Sequence, residues 1–184
     1  VYTHTGIGEK PVSVVSLAVQ KLLETDVSQD SRFLMIGAGQ TNNLVMKFLL
    51  KHGFSNIKVF NRSLEKAEKL ALKAKGEFAS LDDLNRMKER FDVIISCTGA
   101  GEPVLSNENY TLILNGDRAR KTIIDLAIPN DISYEIVEKH NVNYIDIETL
   151  RSIAENNLEH RRKELGKAKE IVSAKLEEFQ STWQ

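Results

Sequence analysis

Two kinds of apolar run alternate along this chain: short continuous blocks, and longer stretches in which apolar residues return every three or four positions. The short blocks read as strands buried on both faces, and the periodic stretches as helices that bury one side. Pro11 suits a first helical turn, and Val14, Leu17, Ala18 and Leu22 then recur at helical spacing to about residue 24. A polar stretch, 25–31, leads into a strand over 32–36. A helix over 40–52 follows with an apolar stripe of Leu44, Val45, Phe48 and Leu49, and Gly53 ends it.

The alternation continues with a strand over 57–60 and a helix over 64–75 that turns Leu64, Ala67, Leu70 and Ala71 inward and closes at Gly76. Next come a short strand at 77–79, a small helix at 81–87 and a buried strand at 91–96. A polar connection then leads to a strand at 121–126, a helix at 133–140 and a last strand at 142–147. Strands alternating with helices in this way predict right-handed crossovers and an α/β, doubly wound, mainly parallel sheet. Beyond residue 147 the pattern changes. Leu158, Leu165, Ala168, Val172, Leu176, Phe179 and Trp183 recur at three-, four- and seven-residue steps without a proline, and only Gly166 weakens the run. A helix of some 30 residues would reach about 45 Å, past the sheet it follows, so it is expected either to meet another domain or subunit or to fold back onto its own domain. Two parts are therefore expected, 1–147 and 148–184.

The first strand runs straight into Gly37-Ala38-Gly39-Gln40-Thr41-Asn42, and the second strand ends in Asn61-Arg62-Ser63. A Gly-x-Gly turn between a strand and a helix aims backbone N–H groups and the positive end of the helix dipole at a pyrophosphate. An NAD-specific site would carry an acidic residue at the end of the second strand. Here a guanidinium and a hydroxyl stand there instead, and both can donate to the 2′-phosphate of NADP. The expected cofactor is NADP(H), on a Rossmann-like sheet. Asn42 takes the place of the third small residue of the fingerprint, which implies wider helix-to-strand packing or a side chain that itself reaches the phosphates. Thr98, Gly99 and Ala100 follow the fourth strand, at the carboxyl edge, and are expected near the nicotinamide ribose. Asp125, ending the next strand, is read equally as orienting the nicotinamide end or capping a turn.

Composition trims the alternatives. The 25 basic residues nearly balance the 26 acidic ones, so global charge makes no case for a nucleic-acid or membrane surface. One cysteine, Cys97, excludes an internal disulfide or a Cys-built zinc site, and its apolar flanks read as core rather than as an activated nucleophile. His4, His52, His140 and His160 match no metal-ligand spacing; His52 and His140 stand where helices end, as caps would. No apolar run approaches the roughly 18 to 20 residues of a membrane span, and a soluble cytoplasmic protein is expected. No acid, base or nucleophile stands out, so the chain shows where a hydride donor binds and not what receives the hydride.

Together these segments resemble glutamyl-tRNA reductase. The likeness rests on 10–16, the 37–42 loop, Asn61 to Ala67, Ser96 to Ala100, the Ile124-Asp125-Leu126-Ala127-Ile128-Pro129-Asn130-Asp131-Ile132 run, 144–147, and 155–161 at the start of the long helix. It departs at Asn42 and at Asn130, where the family commonly has arginine. The resemblance implies an NADPH-binding domain followed by the spinal helix that leads to a dimerisation domain. It also implies a reaction in which a cysteine of a separate N-terminal domain takes the glutamyl group from glutamyl-tRNA. NADPH then reduces the thioester to glutamate-1-semialdehyde, the first step of tetrapyrrole and heme biosynthesis. That cysteine has no counterpart here, so this portion alone is expected to be inactive. A homodimer and handover to glutamate-1-semialdehyde aminomutase are further implications. A shikimate-dehydrogenase-like enzyme, which the Asn61 to Ala67 segment also resembles, and a non-catalytic NADP-sensing module are the alternatives.

Overall fold

The computed structural model describes the backbone over residues 13–182 and side chains through residue 177. The expectations placed on His4, Pro11, Phe179 and Trp183 lie outside these described side chains. The strands are β1 (Phe33–Ile36), β2 (Ile57–Asn61), β3 (Glu77–Ser80), β4 (Val93–Ser96), β5 (Lys121–Asp125) and β6 (Val142–Asp146). The helices are α1 (Val14–Leu23), α2 (Gln40–Lys51), α3 (Leu64–Ala71), α4 (Asn107–Leu114), α5 (Tyr134–Lys139) and α6 (Ile147–Thr182), with 3-10 turns at Leu72–Ala74 and Leu81–Arg86.

All six strands pair in parallel in the order β3-β2-β1-β4-β5-β6. The order reverses between β1 and β4, and that switch point opens a crevice at the carboxyl edge of the sheet. Side-chain alternation divides each central strand between two apolar layers. Phe33 and Met35 of β1, with Val93 and Ile95 of β4, face the layer built by Leu17 and Leu22 of α1, Met46 and Leu49 of α2 and Leu70 of α3. Leu34, Ile36 and Ile94 face the opposite layer, with Tyr110 and Ile113 of α4, Ile136 of α5 and Leu84. This double burial is why the strands read as unbroken apolar blocks.

Helix α4 occupies part of what the sequence reads as a polar connection. Ser106 caps it by accepting from the Asn109 N–H at 3.2 Å, and Asn115, in the left-handed region, ends it. Only Tyr110 and Ile113 are buried, while Leu112 is 60% exposed, so the apolar positions draw no clean stripe. The end of α3 is also refined. Lys75, not Gly76, takes the left-handed conformation, and Gly76 is needed because a Cβ there would lie 2.0 Å from the Ile57 carbonyl oxygen.

Helix α6 begins at Ile147 and runs 36 residues, about 54 Å at the usual rise. Leu150, Ile153 and Ala154 join the layer that contains α1. Farther along, Leu158, Leu165, Val172 and Leu176 remain 39%, 48%, 46% and 55% exposed.

Candidate functional site

The turn after β1 is shaped by one glycine that the chain cannot replace. Gly37 has φ +95°, and a Cβ there would lie 2.3 Å from the Cys97 carbonyl oxygen, so the turn can press against the end of β4 only with glycine in place. Its N–H donates to the Phe60 carbonyl at 2.7 Å, fixing it to β2 as well. Gly39 caps α2 with no side chain, which leaves the first-turn N–H groups of Gln40 and Thr41 without a side-chain cap. Asn42 is absent from the crevice lining. It is fully buried, and its Nδ2 donates at 2.8 Å to the carbonyls of both Ile36 and Gly37, stapling α2 to the strand end from beneath.

On the β2 side, Asn61 acts as a brace: its Oδ1 accepts from the Ala38 N–H at 3.1 Å and its Nδ2 donates to the Ser63 carbonyl at 2.9 Å. Ser63 caps α3 by accepting from the Lys66 N–H at 3.4 Å. Arg62 is partly free of these braces and lies along the crevice, joined there by Lys66 in the first turn of α3.

On the other side of β1, the end of β4 is organised by a residue that the sequence reading passed over. Asp131 is fully buried, and its carboxylate accepts from Ser96 Oγ at 2.7 Å, from the Thr98 N–H at 2.7 Å and from the Thr98 hydroxyl. Asp125 proves to be a turn organiser. It is fully buried and accepts from the N–H groups of Ala127 and Ile132 and from the Tyr144 hydroxyl at 3.1, 3.0 and 3.3 Å, and burial pushes its carboxyl above the usual range. Asn130 donates to the Tyr144 hydroxyl at 3.2 Å, on that same network. The Cys97 Sγ donates to the Leu126 carbonyl at 3.4 Å, and burial raises its pKa, which keeps it a thiol. His140 does stand at the end of α5, but its ring bonds Asn107 Oδ1 at 2.9 Å and lies edge-on to Tyr110, tying two helices rather than capping one.

One crevice of about 420 Å³ collects these elements. Gly37, Ala38, Gly39, Gln40 and Thr41 form its floor, Asn61, Arg62 and Ser63 one end, and Thr98, Gly99 and Ala100 the other. Of the residues expected at the site, Asn42 alone is absent from its lining. Lys66, Leu81, Cys97 and Val104 also line it, and of these only Lys66 carried a usable sequence signal, one helical turn beyond Arg62. Arg62 and Lys66 are the charged members of the lining, and both are cations. A methyl placed on Gly39 or Gly99 would meet no protein atom, so both backbones face space that a ligand can enter. Open backbone donors in the middle and cations at one end fit a dinucleotide phosphate chain. Among the described residues no cluster of His, Cys, Asp or Glu is placed to hold a metal, and no helix is long and apolar enough to cross a membrane.

Comparison with known proteins agrees with this geometry. The family model described as shikimate / quinate 5-dehydrogenase matches residues 17–153. Glutamyl-tRNA reductase of Pelotomaculum thermopropionicum is 35% identical over 181 residues, 97% of this chain and 41% of that protein. A solved glutamyl-tRNA reductase from Methanopyrus kandleri superposes with a TM-score of 0.80 at 33% identity, over 98% of this chain and 46% of the other. The nucleotide-binding domain of glutamyl-tRNA reductase from Thermoplasma volcanium shares the fold, with a TM-score of 0.62 at 20% identity, over 83% of this chain and 99% of that one. The chain thus spans about two fifths of the length of the curated relatives it matches. Fold and family together imply a nicotinamide dinucleotide as cofactor. The chain belongs to the shikimate/quinate 5-dehydrogenase family, and its resemblance along nearly the whole length is to glutamyl-tRNA reductase.

Proposed function

We propose that this chain is the NADP(H)-binding domain and spinal helix of a glutamyl-tRNA reductase, with the division near residue 147. The observation that carries the cofactor choice is the Arg62 end of the crevice. Two cations and a capping serine stand there without a carboxylate, beside the α2 N-terminus, which has no side-chain cap. A 2′-phosphate gains charge-assisted hydrogen bonds at that end, whereas an unphosphorylated ribose would leave the cations unused.

In this reading Gly37 to Thr41 hold the diphosphate, Arg62, Ser63 and Lys66 the adenosine ribose phosphate, and Thr98 to Ala100 the ribose next to the nicotinamide. Asn61 and Asn42 hold the loop from behind. The bound cofactor supplies a hydride at the carboxyl edge of β4. The protein places that edge beside an apolar wall containing Val104 and the neutral thiol of Cys97. Cys97 is not the thioester-forming residue, because its proton is committed to the Leu126 carbonyl and burial disfavours the thiolate. The glutamyl-thioester comes from a cysteine outside this chain, so binding without turnover is the expected behaviour of the 184 residues. The exposed stripe of Leu158, Leu165, Val172 and Leu176 leads to a homodimer, and release of semialdehyde to the aminomutase is the companion proposal.

The family description favours a second reading, a shikimate- or quinate-oxidising enzyme. The full-length gene product, assayed with glutamyl-tRNA plus NADPH and separately with shikimate plus NADP, separates the two. Semialdehyde formation without shikimate oxidation, from a particle whose sedimentation mass is that of two chains, is the expected result. Shikimate turnover without semialdehyde would overturn the assignment.

A further inference from the structure

The segment between β4 and α4 is closed at both ends by one residue. Asp131 accepts through its main-chain oxygen from the N–H groups of Val104 and Leu105, at 2.8 and 3.0 Å, where the segment returns to the core. Its carboxylate holds the segment's start, through Ser96 Oγ, the Thr98 N–H and the Thr98 hydroxyl. Between those anchors the chain supplies Thr98, Gly99, Ala100 and Val104 to the crevice lining. The anchor itself lies behind that wall, fully buried.

A threonine hydroxyl offers one proton and two lone pairs. The proton is committed to Asp131, and one lone pair receives the Ala100 N–H at 3.2 Å. A single lone pair remains uncommitted, on a residue that lines the crevice. We propose that Asp131 is a positioning residue for the cofactor: it fixes the Thr98 hydroxyl as an acceptor facing a donor group on the nicotinamide riboside, and it sets the backbone around it. The inference rests on the dinucleotide reading and deepens it, since the polarity at this end is set from a residue that never touches the ligand. An acceptor held in advance by a buried carboxylate loses no orientational freedom on binding. An asparagine at 131 would turn an amide N–H toward the threonine oxygen. It would thereby release the hydroxyl proton toward the ligand.

The test uses the 184-residue chain, with NADPH and adenosine 2′,5′-bisphosphate as probes; the second lacks the nicotinamide half. Asp131→Asn is expected to weaken NADPH about fivefold to tenfold, the scale of one hydrogen bond, and to leave the bisphosphate unchanged. Thr98→Val should cost the same for NADPH alone, and Thr98→Ser should bind like the unsubstituted chain. Combining Asp131→Asn with Thr98→Val should add no further loss. Additive losses, an equal loss of both probes, or unchanged NADPH affinity would each overturn the inference. Should Asp131→Asn fail to fold, the two Thr98 variants decide it, because Thr98→Val with full NADPH affinity contradicts the role. A chain that binds the bisphosphate but discriminates neither Thr98 nor Asp131 variants keeps the cofactor reading and loses this one. A chain that binds neither probe loses both.

Discussion

At the scale of single residues, the site depends on backbone that only glycine can supply and on charge that only a few side chains bring. Gly37 combines a left-handed φ of +95° with a Cβ position 2.3 Å from the Cys97 carbonyl oxygen. Gly37→Ala therefore meets both backbone strain and a main-chain clash, and should destabilise the fold by about 3 kcal/mol. Urea unfolding measures this, and a variant as stable as its parent would mean that the turn can relax away from β4. The glycine turn and Arg62 are legible in the sequence because their chemistry is tied to a local pattern: a strand, a turn, a helix, and a second strand ending at a set distance. Asp131 is not legible. Its partners Ser96 and Thr98 are more than thirty positions away and are brought together only by the adjacency of β4 and β5. Asn42 was legible as a departure but not in its role, since nothing local says whether an amide will face a ligand or two carbonyls behind the loop.

At the scale of elements, strands were easier to read than helices of mixed exposure. β1 and β4 are apolar on both faces and announce themselves, whereas β5 is buried throughout but carries Lys121, Thr122 and Asp125 around its two isoleucines. Helix α4 buries two side chains and leaves Leu112 outside, and its periodicity is lost. The join between α4 and β5 carries an ion pair that the same mixed pattern conceals. The Lys121 side chain is 2% exposed, and its ammonium bonds Asp117 at 2.8 Å and lies 5.2 Å from the centre of the Phe91 ring. Asp117→Ala leaves that ammonium buried without its carboxylate and should cost about 3 kcal/mol at neutral pH. The hydrogen bond from Lys121 holds the Asp117 carboxyl below the usual carboxylate range. Its proton is thus released more readily folded than unfolded. The pair's contribution is complete at neutral pH and is lost as pH falls below about 4 and through the depressed value. The stability gap between parent and variant should accordingly narrow with acid. A gap that stays constant from pH 7 to pH 3 would show that the pair's charge is not what Asp117 contributes.

At the scale of the whole molecule, the sheet order decides where everything meets. Reversal between β1 and β4 puts the α2 N-terminus at the centre of the carboxyl edge, with Arg62 and Lys66 on the β2 side and Thr98 on the β4 side. A nearly neutral chain thus carries a cleft whose charged lining is wholly cationic. Helix α6 roots itself in one apolar layer through Leu150, Ile153 and Ala154 and then presents a line of exposed apolar residues. The curated relatives that this chain matches are more than twice as long as this chain. Selection of the phosphorylated dinucleotide by the Arg62 end is read by a titration of this chain with NADPH and with NADH, repeated after Arg62→Ala. NADPH should bind at least about tenfold more tightly than NADH, and the substitution should remove most of that advantage while leaving NADH affinity unchanged. Equal affinities for the two nucleotides, indifferent to the substitution, would contradict it.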